Sequence, residues 1–174
     1  VDGIVEGCDQ SGCSLLGGET AEHPQRLAMT NPIRDVSGFC TGIVEENSII
    51  DGRLIRDSDV IIGIESSGVH SNGFSLIREM LFKHKIKLDD MPELLNPTTI
   101  YAPVVASLIK DFPIMGMSHI TGGGIPENLP RCIPDGFAAI VNFDSWPIPE
   151  MFSKIMLAGE IPEEDMKTTF NMGI

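Results

Sequence analysis

The 174 residues carry 12 basic against 25 acidic side chains, a formal charge of −13, together with 18 glycines. A polyanion surface needs Lys and Arg to displace counterions, so an acidic chain with no basic run is excluded as a generic DNA, RNA or anionic-lipid binder. Any phosphate handled by such a chain is expected to be met by backbone N–H groups and metal ions. With 42% apolar and 21% charged residues, the composition is that of a globular protein rather than a disordered tail.

No apolar run approaches the ~18–20 residues of a membrane span, and residues 1–20 hold four acids and no base, which is wrong for a secretory signal. A soluble cytoplasmic protein is expected. Four cysteines, Cys8, Cys13, Cys40 and Cys132, lack any CxxC spacing and read as reduced, mostly buried thiols. A single Trp and a single Tyr argue against an aromatic platform for single strands. The chain starts at Val1 and stops at Phe170-Asn171-Met172-Gly173-Ile174, which reads like the opening of a strand, so a piece of a longer polypeptide is expected.

In chain order, residues 2–10 read as the end of a helix closing at Gly12, a residue that tolerates the left-handed conformation. Residues 13–16 form a short apolar strand running into Gly17-Gly18-Glu19-Thr20. A loop with Pro24 and an Asn31-Pro32 turn follows, then a half-buried strand over 36–44 and a turn at 49–52. The first 50 residues carry eight acids and two bases, the remaining 124 seventeen and ten; this fall in charge density puts a soft boundary near residue 50. Residues 60–64 (VIIGI) suit a strand covered on both faces. An amphipathic helix follows with Phe74, Ile77, Met80 and Leu81 on one face. A second helix carries Ile100, Val104 and Leu108, with Thr98 as its N-cap. Strands are expected over 114–120 and 137–141, and helices over 126–131 and 149–158, the latter stopping at Gly159. Strands alternating with helices predict an α/β layered fold.

Chemistry concentrates at three glycine clusters: GGET (17–20), SSGVHSNG (66–73) and TGGG (121–124). Each follows an expected strand, and the last two open into a helix, where glycine permits close approach and free N–H groups point at an anion. None matches the Walker A or GxGxxG spacing. Glu19, at a strand end, has the ligand type for Mg²⁺; it also fits a solvated loop acid, and Glu22 reads as surface charge. His70 and His119 each sit at a cluster, suited to binding phosphate oxygen or moving a proton, and each also fits a structural histidine. His23 and His84 carry weaker signals. No Cys/His cluster marks a zinc site, and the Gly-x-Ser-x-Gly nucleophile elbow is absent.

Taken together and in order, GCSLLGGETAEHP (12–24), IIDG (49–52), SSGVHSNGFSLIR (66–78), HITGGGIPENLPR (119–131) and TFNMG (169–173) resemble the aminoimidazole ribonucleotide (AIR) synthetase family, the phosphoribosylformylglycinamidine cyclo-ligases of purine biosynthesis. The resemblance implies an enzyme that uses ATP and Mg²⁺ to activate the formyl amide oxygen of formylglycinamidine ribonucleotide, after which an amidine nitrogen closes the imidazole ring. It implies two α/β domains, residues 1–50 ending the N-terminal, ATP-binding and dimerising one, and 51–174 forming most of the C-terminal one, in a homodimer. Carried onto this sequence, Gly17, Gly18, Glu19 and Thr20 contact nucleotide, with Glu19 on the metal. Ser67, Gly68, Ser71, Asn72, Thr121, Gly122, Gly123 and Gly124 hold substrate, and His70 and His119 are the catalytic candidates. The family's earlier glycine-rich segment, with its Lys and metal-binding Asp residues, has no counterpart here. Rival readings are a related ATP-dependent enzyme, such as formylglycinamidine ribonucleotide synthetase, or a non-catalytic interaction fragment.

Overall fold

In the computed structural model, residues 1–21 and 36–174 are described, and the chain divides into two compact units, Val1–Ile49 and Ile50–Ile174. Glu22, His23, Pro24 and the expected Asn31-Pro32 turn lie outside the described residues. Among those described, no helix is long and apolar enough to cross a membrane.

In the first unit, α1 spans Asp2–Ser11. Asp2 sits in its first turn, beside the positive end of the helix dipole. Gly12 ends it at φ 70°, its N–H donating to the Asp9 carbonyl while that of Cys13 reaches Cys8. This is the glycine stop expected from the sequence. Beyond Gly12 the described residues hold one short 3₁₀ turn, Glu46–Ser48.

The second unit is built on helices. The spacing of Phe74, Ile77 and Met80 yields α2, Phe74–Phe82, with Ile77 and Met80 buried. The next helix, α3, spans Ala102–Asp111, starting later than expected. Pro103 has a fixed φ and no N–H, which suits the first turn of a helix, and Thr98 is not the cap; Tyr101 holds that position without a side-chain bond. A five-residue helix α4, Gly124–Asn128, continues as a 3₁₀ turn through Cys132. Then come α5, Glu150–Gly159, and α6, Glu163–Thr169. Gly159 is the last helical residue and Glu160 takes the left-handed position at φ 54°. A Cβ on Gly159 would lie 2.6 Å from Ile161 Cδ1 and 3.3 Å from Met80 Cε, so the end of this helix is closely packed against both side chains.

The core joins α2, α5 and α6 through Val69, Ile77, Met80, Phe152, Ile155, Met166 and Phe170. Phe152 and Phe170 meet edge to face at 5.9 Å. Each such side chain contributes about 1.5–3 kcal/mol by leaving water. Residues 170–173 were expected to open a strand; they form a buried turn instead. Trp146 Nε1 donates to the Met172 carbonyl at 3.0 Å, and the Ser66 N–H to the Gly173 carbonyl at 2.9 Å.

Two further expectations differ from the structure. Among the described residues no segment pairs into a sheet, and 13–16, 36–44, 60–64, 114–120 and 137–141 run without regular structure. Several of their side chains stay in water, Val60 at 84% and Ile140 at 94% exposure, although Ile120 is buried. A strand is stable only when a neighbour takes up its backbone N–H and C=O groups, and pairing between distant segments carries a loop-closure cost that local helices avoid. The cysteines also differ. All four are free thiols, but Cys13 and Cys40 are exposed and Cys8 and Cys132 only half-buried.

Candidate functional site

Three of the sequence-predicted segments meet in the second unit, and asparagines make the joints. Asn72 Oδ1, at the end of the SSGVHSNG loop, accepts from the Gly122 N–H at 3.0 Å and so ties that loop to TGGG. Asn171, 1% exposed, donates from Nδ2 to the Gly68 carbonyl at 2.8 Å, while its Oδ1 accepts from Ser66 Oγ and the Gly173 N–H. Asn128 is buried beneath TGGG. Its Nδ2 donates to the carbonyls of Thr121, Gly122 and Gly124, and its Oδ1 accepts from Thr121 Oγ1. Buried polar groups are tolerated when their bonds are made, and no buried side-chain N or O among the described residues lacks a partner.

His70 is 6% exposed and adopts φ 55°, a conformation uncommon for a residue with a Cβ. Its Nε2 lies 3.2 Å from the Ser67 N–H and 3.4 Å from that of Thr99. Two backbone donors on one nitrogen require a lone pair there, so the neutral ring carries its proton on Nδ1. Burial pushes the imidazole below its ordinary pKa, and the nearby charge of His119 pushes the same way. His119 is exposed. Tyr101 lies between the two rings, edge to face with His70 at 6.0 Å and with His119 at 6.1 Å, and its hydroxyl donates to the Glu65 carbonyl. Burial raises the Tyr101 pKa.

A lowered folded-state pKa means that the unfolded imidazole takes up its proton first. The stability His70 contributes is present above about pH 6.5 and is lost as pH falls through its folded pKa. Calorimetric melts from pH 8 to 5 are expected to show that loss, and His70→Gln, which offers an oxygen in place of Nε2, to flatten it while keeping most of the pH 8 stability. His70→Ala is expected to cost about 1–3 kcal/mol at pH 8. An unchanged profile in the Gln variant would count against the acceptor role.

The glycines divide by what surrounds them. A Cβ on Gly68 would sit 3.3 Å from the Glu93 carbonyl oxygen, one on Gly73 2.1 Å from the Phe170 ring, and one on Gly124 1.8 Å from the Lys167 carbonyl oxygen. Gly123 stands at φ 96°. These four are demanded by packing or turn geometry. A Cβ on Gly122 would meet only Asn72 Oδ1, at 3.8 Å, and Gly122 is exposed; of the TGGG glycines it is the one that leaves open space for a ligand. Ser67 Oγ bonds the Pro97 carbonyl and Ser71 Oγ shares a hydrogen bond with Thr98 Oγ1 at 3.2 Å.

In the first unit Gly17, Gly18, Glu19 and Thr20 are exposed, and nothing lies within 4 Å of a Cβ built on either glycine. Packing within the chain therefore gives no reason for glycine there. Among the described residues no three His, Cys, Asp or Glu side chains converge as a metal site.

Sequence reasoning did not assign Asn128, Asn171 or Tyr101, nor Asn96, whose Nδ2 donates to the Ser67 carbonyl at 2.9 Å. Asn128 and Asn171 lay within quoted runs, but a lone Asn looks the same exposed as buried, and only the packing distinguishes the two.

The family model "AIR synthase related protein, C-terminal domain" matches residues 56–174. The chain belongs to this family. Over 184 aligned residues it is 50% identical to each of the phosphoribosylformylglycinamidine cyclo-ligases of Synechococcus sp. (strain CC9902), Parasynechococcus marenigrum (strain WH8102) and Prochlorococcus marinus (strain MIT 9211), covering 100% of this chain and 53% of each relative. The chain thus spans about half the length of the curated relatives it matches. Both linked loops, 66–73 and 121–124, fall inside the stretch matched by the AIR synthase related model.

Proposed function

We propose that this chain is part of an ATP-dependent phosphoribosylformylglycinamidine cyclo-ligase, which converts formylglycinamidine ribonucleotide to aminoimidazole ribonucleotide with release of ADP and phosphate, in purine biosynthesis. The carrying observation is the Asn72–Gly122 hydrogen bond, which joins two loops of the family-matched region in a chain half identical to enzymes of that name. In this reading residues 1–50 close an N-terminal, ATP-binding domain of α/β layers, 51–174 form most of the C-terminal α/β domain, and the whole protein works as a cytoplasmic homodimer.

In this reading the two loops hold the substrate between them, with Ser67, Gly68, Ser71 and Asn72 on one side and Thr121 to Gly124 on the other. The open space at Gly122 lets substrate approach its backbone. Asn128 and Asn171 hold the loops in place. His70, with Nε2 committed to two N–H groups, positions the loop, while exposed His119 is the imidazole free to exchange a proton during ring closure. Gly17, Gly18 and Thr20 would approach ATP through backbone and hydroxyl donors. Glu19 fits Mg²⁺ in donor type, an oxygen anion, and one carboxylate suffices for a metal held otherwise by phosphates and water. Mg²⁺ when bound supplies charge neutralisation at the transferred phosphoryl group.

The test is ADP release by the purified full-length protein. Release stimulated by formylglycinamidine ribonucleotide, with aminoimidazole ribonucleotide as product, supports the reading. Stimulation by formylglycinamide ribonucleotide with glutamine instead would favour the related synthetase. Absence of calorimetric binding of both Mg-ATP and substrate would favour an interaction role. The 174-residue chain alone is expected to give no measurable ring closure, and activity from it would contradict the division of the nucleotide site proposed here.

A further inference from the structure

Beside the SSGVHSNG loop lies an open cavity of about 370 Å³, lined among others by His70, Ser71, Arg78, Asn96 and Thr98. Its lining includes a cation and no carboxylate, although acids outnumber bases two to one in the chain. A smaller cavity of about 200 Å³ nearby on the same loop is lined by Glu93 and Glu150 as well as Lys154, and Lys154 is paired with Glu150.

Arg78 has no such partner. One helical turn away in either direction stand Phe74, Ser75, Leu81 and Phe82, none acidic. Its neighbour Glu79 is engaged by Lys83, and among the described residues Arg78 enters no ion pair. The cavity also offers hydroxyl donors. Ser71 and Thr98 share one hydrogen bond between them, which uses one of two hydroxyl protons and leaves the other to donate. His70, with Nε2 occupied by backbone donors, has Nδ1–H remaining. A guanidinium fork with hydroxyl and imidazole donors suits a phosphate dianion, which accepts from several directions at once.

We propose that this cavity seats the phosphate of a ribose 5-phosphate group, with Arg78 as its principal counter-charge and the Ser71–Thr98 hydroxyl pair as its orienting donors. The proposal rests on the ribonucleotide substrate proposed above and assigns its phosphate to a specific place. It also revises the expectation that phosphate is met here by backbone and metal alone.

The experiment is calorimetric titration of the full-length protein with ribose 5-phosphate, inorganic phosphate and ribose as probes. Ribose 5-phosphate is expected to bind more tightly than either of the others. Arg78→Ala is expected to weaken it about 10- to 100-fold, Ser71→Ala less, and Arg78→Lys to recover part of the loss. Since Arg78 is exposed, thermal melts of the Ala variant should match the parent. Equal affinity in the parent and Arg78→Ala, or ribose or inorganic phosphate binding as tightly as ribose 5-phosphate, would overturn the assignment. The two readings fail separately: ring closure with an unchanged KM in Arg78→Ala removes only this one. Arg78-dependent binding in a protein that forms no aminoimidazole ribonucleotide removes only the cyclo-ligase.

Discussion

Gly124→Ala is expected to lower the stability of the Ile50–Ile174 unit by about 2–5 kcal/mol. The new Cβ would lie 1.8 Å from the Lys167 carbonyl oxygen, 2.8 Å from its carbon and 3.1 Å from the Phe170 oxygen. All three are backbone atoms at the end of α6, so no side chain can swing away, and relief requires moving α4 from α6. The left-handed φ of 60° adds about 1–2 kcal/mol for any residue with a Cβ, and overpacking of this kind costs about 1–3 kcal/mol. Gly136→Ala separates the two contributions. Gly136 has φ 89° but nothing within 4 Å of its would-be Cβ, so that variant should lose only the conformational part. Urea unfolding of both variants beside the parent measures the difference, and equal losses would rule out the clash with α6.

Asn171→Ala is expected to cost about 3 kcal/mol in the same assay. The side chain is buried and joins the Gly68 carbonyl, the Ser66 hydroxyl and the Gly173 N–H. Truncation strands the Gly173 N–H away from water, at about 1–3 kcal/mol for a buried group left unsatisfied, and leaves the Gly68 carbonyl with the Ser66 hydroxyl as its one remaining donor. Asn171→Asp tests whether shape or bonding matters. The carboxylate keeps the size and the acceptor but replaces the donor facing the Gly68 carbonyl with a second oxygen, and it buries a charge. Destabilisation at least as large as that of Ala is the expected result, and a near-neutral Asp variant would contradict the clamp.

These two residues also mark where local sequence stopped being informative. The α2 face and the Gly12 stop were readable because their determinants lie within a turn or two of chain: spacing of three and four for Phe74, Ile77 and Met80, and a residue without Cβ after the last apolar position. Thr98 was misread because its partner, Ser71, is 27 residues away, and a hydroxyl before an apolar run looks like a cap whatever it bonds. The stop at Gly159 was readable in the same way as that at Gly12, the left-handed position falling one residue later, on Glu160. For TGGG, three adjacent glycines carry the same symbol but different duties, which only the atoms near each Cβ distinguish. The segments 60–64 and 137–141 have strand composition, yet a strand is specified jointly with its neighbour, and composition is only half of that statement.

The site was legible as a set of loops rather than as roles. His70 and His119 both stood beside glycines; the N–H groups converging on one ring, and the exposure of the other, separate them. Arg78 was visible in the sequence as an ordinary helix cation. Its meaning depends on the acids that are not near it.

Trp146 is the sole tryptophan of the chain, and its ring lies 5.2 Å from that of Phe143 while its indole N–H is bonded to the Met172 carbonyl. Met172 is the residue between Asn171 and Gly173, so the fluorophore reports from the turn that secures the SSGVHSNG loop. A shift of tryptophan emission to longer wavelength would register release of that turn against an otherwise silent background. Opening of the clamp can therefore be timed by stopped flow without attaching a probe.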